Sequence, residues 1–163
     1  PQSDGLHHAN NPISTATIPP AEIMEAAYPV IFTQWALRPD SGGAGLHRGG
    51  VGAVYEIEAL SPGTTEVALL GERGRFAPFG ASGGASGALN TFAWQSEEGW
   101  NTPPMASKIV GVKLHAGQRL RLESPGGGGW GDAHQRPREA VARDVRLGFV
   151  SAENAARDYG YSV

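Results

Sequence analysis

The sequence contains no cysteine, which excludes disulfide bonds, thiolate zinc sites and a cysteine nucleophile. No apolar run approaches the ~18 residues that a membrane-spanning helix requires. Acidic and basic residues nearly balance at a formal charge of −3, so the chain lacks the positive charge that attracts a nucleic-acid backbone. The first residues are neither basic nor apolar enough for a secretion signal. These absences predict a cytoplasmic protein that binds neither membranes nor nucleic acid.

Glycine and proline are abundant instead, with 24 glycines and 12 prolines among 163 residues. Their sum stays below the roughly 25–30% at which an aperiodic chain is typically disordered. Charged residues make up 18% of the chain and apolar residues 40%, which is the balance of a globular protein. This length is sufficient for one domain with a sizeable core.

The N-terminal residues 1–19 are polar and turn-rich, and we interpret them as an arm or loop. They include a predicted turn at Asn10-Asn11-Pro12. They begin with Pro1 instead of methionine, which is what we expect of a processed or trimmed chain. A short helix is predicted over 19–27, because proline is tolerated in a first helical turn and Pro29 ends the pattern.

Alternation of apolar and polar residues predicts strands through the middle of the chain. The strand at 30–37 is expected to be partly covered on both faces. The strand at 54–59 is apolar on one face and acidic on the other, and the turn at 61–64 predicts that 65–70 is its hairpin partner. Further strands are predicted at 89–95, 108–114 and 118–123, with an irregular polar connection at 97–104.

The helical period returns only near the end of the chain. It predicts a helix over 137–147 and a last short helix between Ser151, its N-cap, and Gly160, its terminator. The fold class is therefore mainly β (α+β), as one domain. We expect a sandwich or distorted barrel of roughly six to eight strands, with short helices at its N- and C-terminal ends.

Three glycine-rich loops separate these elements, at 38–50, 80–87 and 124–132. Such loops either adopt backbone angles that need glycine or let another group approach the backbone closely. The second loop matches the G-x-S-x-G pattern of a serine nucleophile at Ser82, but the strand and helix that this geometry requires do not flank it. The third loop fits G-x-G-x-x-G, for which a phosphate site and a rigid packed turn are the two alternatives.

Charged side chains near these loops give no convincing catalytic group. The histidines lack the paired spacing of a metal site, so no metal ligand is predicted and exposed loop histidines are expected. Asp40 and Asp132 each lie in a glycine loop, where an aspartate commonly accepts hydrogen bonds from its own backbone. Four arginines around the first two loops either hold an anion or a partner carboxylate, or form salt bridges at the rim. They are Arg38, Arg48, Arg73 and Arg75.

Several unlike motifs nevertheless follow one another in a characteristic order. They lie at 20–30, 37–45, 48–52, 73–78, 80–87, 120–132, 150–153 and 158–160. In this order they resemble the C-terminal part of the hydantoinase B/oxoprolinase B family, over about residues 20–163. The first residues depart from the family, whose members tend to have a histidine and a Thr-Asn-Thr-like run there, so no role is assigned to His7 or His8.

The resemblance implies that the chain is part of an ATP-dependent enzyme. Family members pair a B-type subunit with an A-type subunit that carries the nucleotide, and they open cyclic amides such as hydantoins or 5-oxoproline. Related complexes carboxylate ketones such as acetone and acetophenone. We therefore expect a C-terminal segment or small subunit, inactive alone, whose partners are the remainder of the B-type subunit and the A-type subunit. The resemblance places ATP and Mg in a partner subunit, with no cofactor bound by this chain alone.

Two roles are open for this chain within such an enzyme. In the first, its loops contribute to the active site, with Asp40, Ser41 and Asp132 as candidate catalytic residues. Substrate or phosphate would then be approached by Arg38, Gly42, Gly43, Gly126, Gly127, Gly128 and Gly129. In the second, the glycine loops are packing turns of a structural and interface domain. We favour the second role for the chain taken alone.

Overall fold

A computed structural model of the protein describes residues 2–9 and 19–162. The predicted turn at Asn10-Asn11-Pro12 lies outside these residues. In chain order the elements are α1 (Ala21–Ala27), β1 (Val30–Leu37), β2 (Ala53–Ala59), β3 (Thr65–Leu70), β4 (Thr91–Ser96), β5 (Gly99–Asn101), β6 (Lys108–Leu114), β7 (Arg119–Glu123), a 3-10 turn (Ala133–Gln135), α2 (Arg138–Arg146) and α3 (Ala152–Tyr159). The predicted mainly β architecture with short terminal helices is confirmed.

The strands form two antiparallel sheets of unequal size. One sheet has five strands in the order β1-β2-β7-β4-β5, and the other contains only β3 and β6. The two sheets enclose a core of buried apolar side chains, and burial of this kind is the main force that holds such layers together. Its members are Ala59, Leu69, Phe92, Val112, Leu114 and Leu120.

The predicted hairpin between β2 and β3 is wrong. β2 pairs with β1 and β7, whereas β3 pairs with β6, with Val67 opposite Val112. The turn at 61–64 therefore joins the two layers, because the alternation within a strand fixes which face is buried and not which neighbour it pairs with. The connection at 97–104, predicted to be irregular, contains β5, which pairs with β4 through Gln95 and Trp100.

The expectation that β1 is partly covered on both faces is also wrong. Six of its eight residues are exposed, and the buried core between the sheets contains none of them. The reason is that β1 lies at the edge of the larger sheet, beyond the strands that contribute buried residues to the core. Trp35 packs between the rings of Phe32 and Tyr55, with ring centroids 5.3 and 5.0 Å away, so an aromatic row lines this edge.

The C-terminal helices cover a second, smaller core formed by Ala44, Val141, Val150, Ala155 and Tyr159. The predicted caps of α3 are confirmed. The Ser151 hydroxyl accepts a hydrogen bond from the Asn154 N–H at 3.1 Å, and Gly160 ends the helix in the left-handed region at φ 62°. In the described part of the chain, no helix has both the length and the apolar character needed to cross a bilayer.

Candidate functional site

The three glycine-rich loops, far apart in the sequence, meet in the structure. The N–H of Gly43 donates to the carbonyl of Gly127 at 2.9 Å, and the N–H of Gly127 donates to Gly50 at 2.8 Å. The second loop joins them, because the N–H of Gly129 donates to the carbonyl of Ala85 at 2.8 Å. We call this assembly the glycine core. It comprises residues 41–50, 80–88 and 124–131.

The main chains in the glycine core are too close to admit side chains. A Cβ on Gly43 would collide with the carbonyl oxygen of Ala85 and would lie 2.7 Å from the amide nitrogen of Gly129. A Cβ on Gly126 would collide with the Ser41 carbonyl. Glycine is needed at these positions because backbone packs directly against backbone. The predicted substrate-approach glycines are thus in contact with the chain itself.

Arg38 and Ser41 connect the glycine core to the chain segments beside it. The guanidinium of Arg38 donates to two backbone carbonyls at 2.7 and 3.1 Å and pairs with Glu123 at 3.1 Å. The hydroxyl of Ser41, only 1% exposed, donates to the Arg38 carbonyl at 2.6 Å and accepts from the Gly52 N–H at 2.9 Å. Both side chains therefore have hydrogen-bond partners inside the chain.

The two predicted aspartates lie in different surroundings. Asp40, at φ 59°, accepts a hydrogen bond from the Ser151 N–H at 2.7 Å, so it anchors the start of α3 instead of bonding its own loop. Asp132 is exposed and accepts from the His134 N–H at 2.9 Å, which caps the 3-10 turn as expected for an aspartate in a glycine loop. Their catalytic roles stay predictions.

A small cleft of about 170 Å³ opens where the first glycine loop faces α3. Asp40, Gly42 and Gly43 line it from the loop, and Asn154 and Tyr159 line it from the helix. Burial raises the pKa of Tyr159 to about 12, so its phenol stays protonated at neutral pH. The structure thus brings three of the predicted residues to one polar cleft, which includes neither Ser41 nor Asp132.

A buried network of charges connects the glycine core to α2. Asp144 pairs with Arg48 at 3.0 Å and with Arg136 at 2.8 Å, and all three side chains are at most 5% exposed. Arg136 also holds Asp4 through two hydrogen bonds of 2.6 and 2.7 Å. Burial opposes ionisation of Asp4, but the hydrogen bond and charge of Arg136 outweigh it and lower the pKa of this carboxyl.

Sequence reasoning placed Arg48 near a loop rim and missed its partners. Asp144 is 96 residues from Arg48, and Asp4 is 132 residues from Arg136, so no local pattern links them. Of the two alternatives for the loop arginines, Arg38 and Arg48 therefore form salt bridges. Arg48 is buried, however, and does not lie at a rim. Arg73 and Arg75 are exposed outside the glycine core.

The N-terminal residues 2–9 lie along the glycine core and are held there by two histidines. The Nδ1 of His7 accepts from the Val51 N–H at 3.3 Å, which assigns the proton of the neutral ring to Nε2. The Nε2 of His8 contacts the Tyr55 hydroxyl, and its Nδ1 lies 3.4 Å from the Ser124 hydroxyl. Burial lowers the pKa of both histidines. His8 is exposed as expected, whereas His7 is half-buried.

The remaining motifs lack a catalytic context. Ser82 is exposed on a turn at φ 51°, with neither a strand before it nor a helix after it. In the third loop, the N–H groups of Gly127, Gly129 and Gly131 all donate to carbonyls of the chain. No group of three or more metal-binding side chains occurs among residues 2–9 and 19–162.

Comparisons with a family model and with related sequences agree on one protein family. A family model described as hydantoinase B/oxoprolinase matches residues 1–133. The match includes the first nineteen residues, which the sequence motifs did not cover, and ends before α2. The chain is 28% identical over 160 residues to the B-type subunit of a putative D-/L-hydantoinase of Pseudomonas sp. strain NS671, covering 98% of this chain and 27% of that protein. It is 35% identical over 144 residues to the beta subunit of the caprolactamase of Pseudomonas jessenii, covering 85% of this chain and 24% of that protein.

Solved structures share the same fold. Acetone carboxylase in its nucleotide-free form superimposes with a TM-score of 0.82 at 22% identity, over 97% of this chain and 25% of that chain. The ATP-dependent caprolactamase of Pseudomonas jessenii superimposes with a TM-score of 0.76 at 30% identity, over 88% of this chain and 25% of that chain. The chain therefore spans about a quarter of the length of these relatives.

Proposed function

The chain belongs to the hydantoinase B/oxoprolinase family, and we propose that it forms the C-terminal segment or a small subunit of an ATP-dependent cyclic-amide hydrolase. Its main role there is structural and interface-forming, with the cleft beside Asp40 as a place where its loops reach an active site. The relatives named as a hydantoinase B-type subunit and a caprolactamase beta subunit support the reaction class and a multi-subunit organisation. The proposed partners are the remainder of the B-type subunit and an A-type ATP-binding subunit.

The closed packing of the glycine core carries this proposal. A catalytic loop keeps polar groups directed at the substrate, whereas Ser41 and Arg38 bond to their own chain and Gly43 packs against Gly129. These contacts fix the relative positions of β1, β2 and β7 at one end of the larger sheet. A rigid module of this kind can hold the parts of a larger enzyme in fixed relative positions.

The same packing supports a nucleotide site in another subunit. A phosphate site built from a glycine loop needs several backbone N–H groups that converge on the anion. Gly127 and Gly129 instead donate their N–H groups to Gly50 and Ala85. The donor set of this loop does not fit a phosphate cradle, which supports the proposal that an A-type partner binds ATP and Mg. The need for ATP also supports a cytoplasmic location.

Reconstitution of the complex tests the structural role. The chain is combined with the remainder of the B-type subunit and an A-type subunit, and assembly and ATP-dependent ring opening are measured for the wild type and for Asp132→Ala and Arg38→Ala. We expect Asp132→Ala to keep both assembly and turnover. Arg38→Ala should weaken assembly because it removes the hydrogen bonds to the Leu89 and Ser124 carbonyls and the ion pair with Glu123 at the edge of the glycine core. Normal assembly with turnover abolished in Asp132→Ala would instead establish a catalytic role.

A role within a related ATP-dependent ketone carboxylase is the second candidate. The TM-score of 0.82 with acetone carboxylase supports it at the level of the fold. Assays of the same complex with hydantoin, 5-oxoproline or caprolactam, and separately with acetone plus bicarbonate, distinguish the two reactions. A third role, that of a purely structural assembly module, predicts that Asp40→Ala leaves turnover per assembled complex unchanged in either assay.

A further inference from the structure

Several of the most exposed large apolar side chains gather around the smaller sheet. Phe76 is 74% exposed and Met105 is 72% exposed, and both line a groove of about 450 Å³ formed by residues 71–76 and 105–108. Leu70 and Val110, 75% and 70% exposed, lie on β3 and β6 close in sequence to the two groove segments. Exposed large apolar side chains grouped in this way, with polar residues beside them, are typical of sites where a protein binds another surface.

The two loops that form the groove are fixed to one another. The N–H of Gly71 donates to the Ser107 carbonyl at 2.8 Å, and the Ser107 hydroxyl donates to the Gly71 carbonyl at 3.0 Å. Gly74 packs so closely on Ser107 that a Cβ there would collide with its side chain. The carbonyl of Arg73 accepts from the Asn90 N–H at 3.0 Å, which ties the loop to the residue before β4. The groove is thus preorganised, and binding to it costs little ordering entropy.

The rim of the groove is cationic. Arg73 and Arg75 are exposed, and neither guanidinium forms an ion pair within the part of the chain that the structure describes. Lys108 is already paired with Glu72 at 2.7 Å. The chain as a whole carries a charge of −3, so this positive rim is a local feature.

We propose that this groove binds a segment of the B-type polypeptide that lies outside the quarter represented by this chain. The segment would place apolar side chains against Phe76 and Met105 and present Asp or Glu carboxylates to Arg73 and Arg75. The inference rests on the proposed function, because the relatives are about four times as long as the region they share with this chain. Aromatic residues, methionine and arginine are the types enriched in interface cores, and arginine binds carboxylates through two parallel hydrogen bonds.

The charge of the rim argues against a second copy of this chain as the occupant. A two-fold symmetric interface brings the same patch of both copies together. The guanidiniums of Arg73 and Arg75 would then face those of the other copy, and like charges across an interface are unfavourable. An acidic, apolar segment of a different sequence has complementary charge.

Binding between the purified chain and the remainder of the B-type subunit, produced as a separate polypeptide, tests the proposal. The dissociation constant is measured by titration calorimetry for the wild type, for Arg73→Glu/Arg75→Glu and for Phe76→Ser. We expect each groove variant to weaken binding at least tenfold, with unchanged circular dichroism and urea unfolding. The wild-type affinity should fall as salt is added, and this dependence should be largely lost in the charge-reversal variant.

A matched control uses the exposed Arg146 and Leu147 at the end of α2, outside the groove. Arg146→Glu and Leu147→Ser make the same kinds of change and should leave the dissociation constant within about twofold of the wild type. Normal binding by the groove variants would overturn the groove proposal and leave the proposed function intact. A wild-type chain with no affinity for the remaining polypeptide would overturn both. Self-association that disappears in Arg73→Glu/Arg75→Glu would show a second copy as the occupant and overturn the proposal.

Discussion

Gly43 packs its main chain against Gly129, so close that a Cβ on the first residue would lie 2.7 Å from the amide nitrogen of the second. We predict that Gly43→Ala lowers the free energy of unfolding by about 1–3 kcal/mol, because backbone must move to relieve the collision. Gly63→Ala is the matched control, since the nearest atom to its Cβ would be the Ser61 hydroxyl at 3.8 Å. Urea unfolding measures both variants, and equal midpoints would contradict the close packing of the glycine core.

Removing the buried carboxylate shared by Arg48 and Arg136 should be strongly destabilising. Asp144 is 4% exposed, and Asp144→Ala leaves two buried guanidiniums with only Asp4 to balance them. We expect a loss of about 3–5 kcal/mol in the free energy of unfolding, measured by chemical denaturation. Lys108→Ala breaks an exposed ion pair with a residue outside this network and should have little effect. Similar losses for the two variants would mean that the buried network contributes no more than a surface pair.

The docking of the N-terminal segment should weaken in mild acid. Burial lowers the pKa of His7, and the charge of Arg48 lowers it further, while Asp144 and Asp4 oppose these effects. Because the pKa is lower in the folded state, the stabilisation is complete above the ordinary value of 6.5 and is lost as the pH falls below it. The loss of stability is small, since the His7 ring is only partly buried. His7→Gln keeps a hydrogen-bond acceptor that does not titrate, so it should reduce this pH dependence of the urea midpoint. His8, whose pKa is also lowered by burial, should account for the remainder.

The exposed His115 provides the control for this pH experiment. His115→Gln removes a histidine outside the N-terminal segment and should retain the wild-type pH dependence of the urea midpoint. Asp4 and Glu123 become protonated only at lower pH than the histidines, because the pKa values of their carboxyl groups are lowered. A wild-type slope in His7→Gln would assign the effect to another group.

Ser41 offers a direct distinction between packing and catalysis. Its hydroxyl joins the Arg38 carbonyl to the Gly52 N–H and is almost fully buried. Ser41→Ala leaves both backbone groups unsatisfied, so we expect a loss of about 1–3 kcal/mol in stability. The exposed Ser86, mutated to alanine, should change stability much less. Unchanged thermal unfolding of Ser41→Ala, with lost turnover in the reconstituted complex, would favour the catalytic role.

Local signals predicted the elements of this fold well. The N-cap at Ser151 and the terminator at Gly160 depend on residues within one helical turn, and alternation predicted both ends of β6 correctly. Strand pairing was harder, because the pattern of β3 suits either β2 or β6 as its partner. The three-residue strand β5 is too short to show alternation, and it begins at Gly99.

The candidate site was also only partly predictable, because contacts between distant segments leave no local pattern in the sequence. Asp40, Gly42 and Gly43 belong to one short glycine-rich motif, so that motif contained three residues of the cleft. The pairing of Arg48 with Asp144 and the contact between His8 and Tyr55 depend on how distant segments fold together. A single sequence carries no local trace of such contacts.

The glycine core also has a consequence for the order in which the chain refolds. Glycine loses more backbone freedom on folding than any other residue, and these loops bury few apolar side chains in return. Their closure is therefore unfavourable until β2, β7 and the C-terminal helices have fixed their ends. We therefore expect the three loops to interlock only after the two sheets have formed.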